Sequence, residues 1–171
     1  MEERNNGIHT PTEGTVMAYN TDHVLNTILQ RSFREGRTDM SPMKIQKMLF
    51  YTHGWHLATT GVPALDRPFE VWPYGPVVGK VYHDLKKFGP NAVTEYVKDV
   101  ADGKAYIVNP AEANLYRSVD IAWEKYIGIP AVNLSAMTHE PNSPWDIANK
   151  QAMGVIPNEM IKDYFVRAAS H

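Results

Sequence analysis

The stretch from Phe69 to Val78, FEVWPYGPVV, constrains the fold more than any other part of this sequence. Its first four residues are mostly aromatic or β-branched and favour an extended strand. Its two prolines lack a backbone N–H and cannot lie inside a paired central strand, and Gly75 tolerates positive φ. The stretch predicts a rigid corner that carries two amphipathic aromatic side chains, Trp72 and Tyr74. Two interpretations stay open: a corner packed beneath a helical core, or an ordered recognition loop.

The clearest helix start lies upstream of this corner. Ser41 can cap a helix there, and Pro42 can occupy its first position. Apolar and aromatic residues then cover most of the circumference, which predicts a central aromatic helix over about residues 42–60 with neighbours on several sides. Lys44 and Lys47 are expected on the solvent-exposed edge of this helix.

Apolar periodicity, capping residues and Gly/Pro stops predict further helices along the chain. They cover about 21–35, 78–88, 110–127, 130–137, 144–153 and a last segment from about 157. The loosely alternating stretch 92–108 contains Asp102-Gly103, a tight-turn signal, and predicts a small β-hairpin with which the extended run 69–72 could pair.

The predicted fold is therefore mainly α within the α+β class. We expect a single compact helical domain over residues 19–171, with short strands near 69–72 and 92–108. Residues 1–18 are polar and weakly patterned, and they are predicted to form a flexible N-terminal arm.

Composition narrows the functional classes. Lys plus Arg number 17 and Asp plus Glu number 19, so the formal net charge is −2 and no basic excess predicts nucleic-acid binding. No long apolar run predicts a membrane span, and the N-terminus lacks the pattern of a signal peptide. The chain has no cysteine, which excludes disulfides, thiolate metal sites and cysteine nucleophiles and fits a cytoplasmic protein.

No catalytic motif of high specificity is present. His53 and His56 are three residues apart on the predicted central helix, a spacing that can chelate a metal only with a third ligand. The alternative is that each ring is satisfied by a hydrogen bond, and we predict no metal and no cofactor. A small hydrolase that uses His139 with Glu140 or Asp146 stays open, although no nucleophile motif accompanies these residues.

Four blocks resemble the Panacea domain family of SocA-like antitoxins and phage-associated proteins. Residues 44–57 (KIQKMLFYTHGWHL) are similar to the family's "KLQKLLYYAQGWHL" helix, and residues 70–78 (EVWPYGPVV) to its "EAWPYGPVV" segment. Residues 81–83 (VYH) resemble the "LYH" that follows. The late block with Leu134-Ser135, Thr138-His139 and Pro144-Trp145 resembles "LSxxTHxxxxPW".

The resemblance implies a binding protein without catalytic residues: an antitoxin that neutralises a genetically linked toxin by direct protein–protein interaction. It also leaves open an adaptor that delivers the toxin to a cytoplasmic AAA+ protease, a phage-borne interaction protein without a toxin, and a homodimer. The residues assigned to partner binding are Trp72, Tyr74, Pro76, Tyr82, His83 and His139. Those assigned to the structural motif are Gln46, Gly54, Trp55, Pro73, Gly75 and Trp145.

Overall fold

The computed structural model describes residues 18–170, so the predicted arm over residues 1–18 lies outside the described part except for Ala18. The elements are α1 (Thr21–Arg34), α2 (Pro42–Thr60), β1 (Phe69–Trp72), β2 (Gly75–Val77), α3 (Gly79–Leu85), a 3₁₀ turn (Lys86–Phe88), α4 (Ala113–Tyr126), α5 (Ala131–Thr138), α6 (Pro144–Lys150), β3 (Val155–Ile156) and α7 (Asn158–Ala169). The predicted class, mainly α within α+β, is confirmed. Within these residues, no helix combines the length and the apolar character needed to cross a membrane.

Helix α2 is the centre of the fold, as predicted. The Ser41 side chain accepts a hydrogen bond from the Lys44 backbone N–H, Pro42 occupies the first turn, and Gly61 ends the helix at φ +80°. Every residue from Lys44 to Leu57 is buried. Helices α4 and α7 cover most of its surface, and α1, α3, α5 and β2 cover the rest. A helix enclosed in this way needs apolar residues around its whole circumference.

The prediction that Lys44 and Lys47 mark a solvent-exposed edge of α2 is wrong, because both side chains are buried. Neighbours cover the edge of the helix that the sequence pattern assigned to solvent. The Lys44 ammonium is compensated, since its Nζ lies 2.9 Å from Asp39 Oδ2 and 2.6 Å from Ile127 O. Lys47 is buried differently and belongs to the candidate site described below.

The predicted rigid corner is a tight β-hairpin. Strands β1 and β2 pair antiparallel with Trp72 opposite Gly75, so the two residues between them form the turn. Strand β3 pairs with the other side of β1, which gives the sheet order β2-β1-β3. Because β2 lies at the edge of the sheet, Pro76 can occupy it without removing an interior ladder bond.

The hairpin predicted over residues 92–108 is wrong, because no strand forms there. The segment packs against α1, whose side chains take the place of a partner strand. The Asn26 amide donates to Val97 O and Tyr106 O and accepts from the Val97 N–H, and Thr27 Oγ1 accepts from the Val108 N–H. With these backbone groups satisfied, the short strand 69–72 pairs with β2 and β3 instead.

Candidate partner-binding groove beside the hairpin

Side chains from α5 and α6 hold the backbone of the hairpin turn. Three consecutive carbonyl oxygens face them. The contacts are Trp145 Nε1 to Trp72 O at 2.8 Å, His139 Nε2 to Pro73 O at 3.0 Å, and Ser135 Oγ to Tyr74 O at 2.6 Å. The His139 ring also packs edge-on against Trp145, with 4.0 Å between ring centroids. A turn fixed at three successive positions presents its side chains in one arrangement before any partner arrives.

The second strand of the hairpin is fixed from the side of α2. The Gln46 amide donates to Val78 O at 3.1 Å and accepts from the Val78 N–H at 3.0 Å, like one rung of a strand ladder. Gly75 has φ +113°, and a Cβ there would lie 2.5 Å from Thr138 Oγ1. Both the backbone angle and the close approach of α5 require glycine at this position.

The opposite face of the hairpin displays aromatic side chains. Tyr74, at the tip, is 67% exposed, and Tyr82 on α3 is 42% exposed. The half-buried Trp72 ring lies 4.8 Å from the Tyr82 ring, and its Nε1 donates to Glu70 Oε1 at 3.3 Å. Glu70 also accepts from the Gly79 N–H at 3.0 Å, which ties β1 to the start of α3.

These aromatic residues line a groove of about 250 Å³, which we call the hairpin groove. It runs between the hairpin, the first turn of α2 and helix α3. Its lining residues are Pro42, Met43, Gln46, Lys47, Trp72, Tyr74, Val77, Tyr82, Lys86 and Gly89. The lining combines apolar and aromatic surface with two lysines and contains no carboxylate, a combination suited to an apolar ligand that carries negative charge.

Lys47 is the chemically unusual residue of the groove. It is 1% exposed, and burial lowers its pKa to about 8. The only hydrogen bond of its Nζ within residues 18–170 goes to Pro76 O, at 3.4 Å. In the same part of the chain no carboxylate lies within 4 Å of this nitrogen. Lys44, by contrast, has the Asp39 carboxylate as its counterion.

The other predicted contact residues occupy different environments. His83 is exposed on α3 beside Tyr82. Pro76 is buried in β2, and His139 is engaged with the turn, so their geometry favours support of the hairpin over contact. Partner binding by these two residues stays a prediction.

Two of the three groups of the hydrolase hypothesis, His139 and Asp146, are engaged in other contacts, and the third, Glu140, is exposed. The His139 ring is bonded to Pro73 O, and the Asp146 carboxylate accepts from the Asn142 N–H at 2.9 Å and from Lys150 at 3.0 Å. No contact between His139 and Asp146 is formed among the described residues. Within residues 18–170, the hydrogen bonds of His139 and Asp146 therefore do not join the two groups into an acid–base pair.

The remaining structural residues lie on α2. Trp55 is buried and its Nε1 donates to Tyr126 Oη at 2.9 Å. Gly54 faces the Phe165 ring of α7 at close range. Both lie away from the hairpin groove, at the contacts that α2 makes with α4 and α7.

The two histidines of α2 are buried and hydrogen-bonded. His53 Nε2 lies 2.8 Å from Asn158 Oδ1, and its Nδ1 accepts from the Leu65 N–H at 3.2 Å. His56 Nδ1 lies 2.9 Å from Ser118 Oγ. In residues 18–170 no group of three or more His, Cys, Asp or Glu side chains is placed to hold a metal ion. Burial lowers the pKa of each ring from 6.5 to about 4.

These histidines predict a loss of stability in mild acid. Below pH 6.5 the unfolded chain binds protons that the folded rings accept only near pH 4. The free energy of unfolding should therefore fall across this window, by up to about 3 kcal/mol per histidine. Urea unfolding at several pH values measures it, with a His53→Gln/His56→Gln variant as control. An equally steep fall in that variant would contradict the assignment.

The sequence identified the aromatic face of the site but missed its cation and much of its support. The sequence pattern predicts a solvent-exposed Lys47, because helical periodicity alone does not reveal how many neighbours a helix has. Ser135 lies in one of the resembling blocks, but the sequence does not indicate its hydrogen bond to the turn. Met43 and Lys86 carried no signal that distinguishes them from ordinary surface residues.

The chain belongs to the family of SocA-like antitoxins with a Panacea domain, whose family model matches residues 45–146. A curated relative, Antitoxin SocA of Caulobacter vibrioides (strain NA1000 / CB15N), is 30% identical to this chain over 135 residues. The alignment covers 74% of this chain and 72% of the relative. No solved structure shows a significant match. The matched residues include most of α2, the hairpin, α5 and the first residues of α6.

Proposed function

We propose that this protein is an antitoxin that binds a genetically linked toxin directly through the hairpin groove and thereby blocks the toxin's activity. It acts in the cytoplasm by binding and has no catalytic role. Family membership supports the class of partner. The observation that carries the choice of surface is the exposed Tyr74 at the tip of a turn whose carbonyls are fixed by three side chains.

Two physical features support this surface. Tyrosine and tryptophan contribute a large share of the binding energy at many interfaces, and Trp72, Tyr74 and Tyr82 lie together here. A fixed backbone also lowers the conformational entropy lost on binding, so contact area converts more fully into affinity. Other exposed apolar side chains, such as Val100 and Val132, are smaller than these aromatic residues and offer less contact area.

The proposal is tested by co-expression with the adjacent open reading frame. Toxicity of the neighbour alone, rescue by this protein and recovery of a stable complex are the expected results. The same rescue assay in a strain without its cytoplasmic AAA+ proteases separates direct block from delivery to a protease. Rescue that disappears in that strain, with no lasting complex, would replace direct block by the adaptor mechanism. A neighbour that is harmless and makes no complex would contradict the antitoxin function.

A Tyr74→Ala/Tyr82→Ala variant is expected to lose rescue and to bind the toxin at least about 100-fold more weakly, since each exposed aromatic anchor contributes about 2 kcal/mol. Its melting temperature should change little, because Tyr74 is 67% and Tyr82 42% exposed and neither side chain belongs to the buried core. Calorimetric titration measures the affinity and circular dichroism the fold.

Val100→Ala is the matched control, because it removes apolar surface from a residue that is 97% exposed and does not line the groove. This variant should bind and rescue like the wild type. Full protection by the folded tyrosine variant would show that the toxin contacts another surface.

A further inference from the structure

The hairpin groove holds a buried cation, Lys47, for which residues 18–170 supply no anion. Among the described residues, Lys47 Nζ donates a single hydrogen bond, to Pro76 O at 3.4 Å, whereas an ammonium group can donate three. Lys44, one turn earlier on the same helix, is buried to the same degree but has both a carboxylate and a short carbonyl contact. Buried charges in proteins are normally paired, so the unpaired one indicates a missing partner group.

The rest of the groove adds to the positive charge. Lys86 lies on the rim, and none of the ten lining residues is acidic. Glu70, the carboxylate nearest in sequence to the turn, is engaged with Gly79 N and Trp72 Nε1. An incoming anion would therefore meet two cations and no repelling charge within the groove.

We propose that the hairpin groove is a carboxylate-binding site that receives a glutamate or aspartate side chain of the protein partner, with Lys47 as its counterion. This inference rests on the proposed function, whose binding surface it extends. The aromatic walls formed by Trp72, Tyr74 and Tyr82 would cover the apolar stem and flanking residues of the partner segment. The carboxylate would approach Lys47, which lines the groove and whose Nζ lies beside Pro76 O.

The chemistry of the groove favours an acidic protein segment over a nucleic acid. A phosphate backbone is recognised by several exposed cations spread along a surface. Here one of the two cations is buried, and most of the other lining residues are apolar or aromatic. The chain as a whole carries a net charge of −2, which opposes binding of a polyanion.

The first arm of the test uses the toxin partner. Lys47→Met should weaken its binding at least about tenfold and Lys86→Ala less, since a buried charge pair contributes more than one at the rim. Lys87→Ala is the matched control, because Lys87 is exposed, pairs with Glu95 and does not line the groove. One Asp or Glu of the partner should lose affinity on conversion to its amide in the wild type but not in the Lys47→Met background.

The second arm of the test needs no toxin. It therefore tests the carboxylate site separately from the antitoxin function. The capped peptides Ac-Leu-Glu-Leu-NH₂ and Ac-Leu-Gln-Leu-NH₂ are titrated to millimolar concentrations while the NMR signals of the Lys47 ammonium and the Tyr82 ring are followed. Only the glutamate peptide should shift these signals, and Lys47→Met should abolish the response.

A toxin that binds Lys47→Met and wild type equally would overturn the carboxylate site and leave the antitoxin function intact. If no toxin binds, the antitoxin function fails, and the peptide arm alone decides the carboxylate site. Equal responses to the two peptides, or none, would then overturn it. Lys47-dependent binding of a short oligothymidylate in place of the glutamate peptide would also overturn it.

Discussion

Alanine at position 54 is expected to lower the free energy of unfolding by about 3 kcal/mol or more, and the melting temperature by roughly 10 °C. A Cβ built on Gly54 would lie 2.2 Å from Phe165 Cε2 and 2.4 Å from Cδ2. The ring cannot move aside, because Phe50, Tyr51 and Trp55 enclose it at centroid distances of 5.4–6.1 Å. Helix α7 would have to move away from α2.

The sign of this effect is diagnostic. In an exposed helix interior, replacing glycine by alanine stabilises by about 1 kcal/mol, because alanine has the higher helix propensity. Gly54 is in the interior of α2, so a loss of stability would show that the contact with α7 outweighs propensity. Gly128→Ala, in the turn after α4, is the control for an added methyl group without a clash, since among the described residues no atom packs within 4 Å of its Cβ position.

A second substitution tests the clash itself. Phe165→Leu removes the ring and leaves room for a methyl group at position 54. Gly54→Ala should therefore lower the free energy of unfolding less in the Phe165→Leu background than in the wild type. Denaturant unfolding of the wild type, the two single variants and the double variant measures this coupling energy. Equal costs in the two backgrounds would show that the ring is not the source of the destabilisation.

Elements with local signals were predictable from the sequence. Ser41-Pro42 and Ser143-Pro144 mark the starts of α2 and α6, where each serine side chain accepts a backbone N–H as a cap. The stretch 69–78 predicted a rigid corner, because its two prolines and one glycine restrict the backbone. In each case, the physics that determines the structure acts between residues a few positions apart.

The sequence predictions failed where contacts between residues far apart in the chain determine the local structure. The segment 92–108 alternates like a hairpin, but its backbone is satisfied by Asn26, which is 71 positions from Val97 and 80 from Tyr106. No local sequence pattern indicates that the Asn26 side chain, and not a partner strand, binds these backbone groups. In the site, the bonds from Ser135, His139 and Trp145 to the turn span 61–73 positions. The sequence could therefore show that the turn is rigid without showing what holds it.

The position of the hairpin links these long-range contacts to function. Much of the resembling sequence supports the turn from behind: Gln46 on α2, and Ser135 and Thr138 on α5. The groove in front is lined by side chains that this support leaves free to contact a partner, above all Tyr74 and Tyr82. A scaffold of this kind holds the surface in place while the contacting side chains determine which partner fits.

Lys47→Met is expected to raise the free energy of unfolding by about 1–3 kcal/mol while it weakens partner binding. Burial lowers the pKa of Lys47 from 10.5 to about 8, so at neutral pH the folded state holds a poorly solvated ammonium that the unfolded chain exposes to water. Methionine fills a similar volume without that charge. The lost bond to Pro76 O, at 3.4 Å, is weak and offsets little of the gain.

The lysine at position 44 supplies the matched control. Lys44→Met should destabilise the protein, because it leaves Ile127 O without its 2.6 Å donor and removes the ion pair with Asp39. Urea unfolding at pH 7 measures the change in the free energy of unfolding for both variants. Changes of opposite sign at two buried lysines on one helix would show that the presence of a counterion determines the cost of burying each charge. If Lys47→Met also destabilises, then the chain itself satisfies Lys47, and the argument for a missing anion fails.

The pH dependence provides an independent check on Lys47. Between pH 8 and 10.5 the unfolded chain retains a proton that the folded state has lost, so stability should rise with pH through this window. Buried tyrosines such as Tyr51, whose pKa is raised by burial, act in the opposite direction above pH 10, but they are common to both proteins. The difference in stability between Lys47→Met and the wild type should therefore shrink as pH rises from 8 to 10.5. A constant difference would mean that the ammonium is solvated, and a solvated Lys47 would not require a carboxylate from the partner.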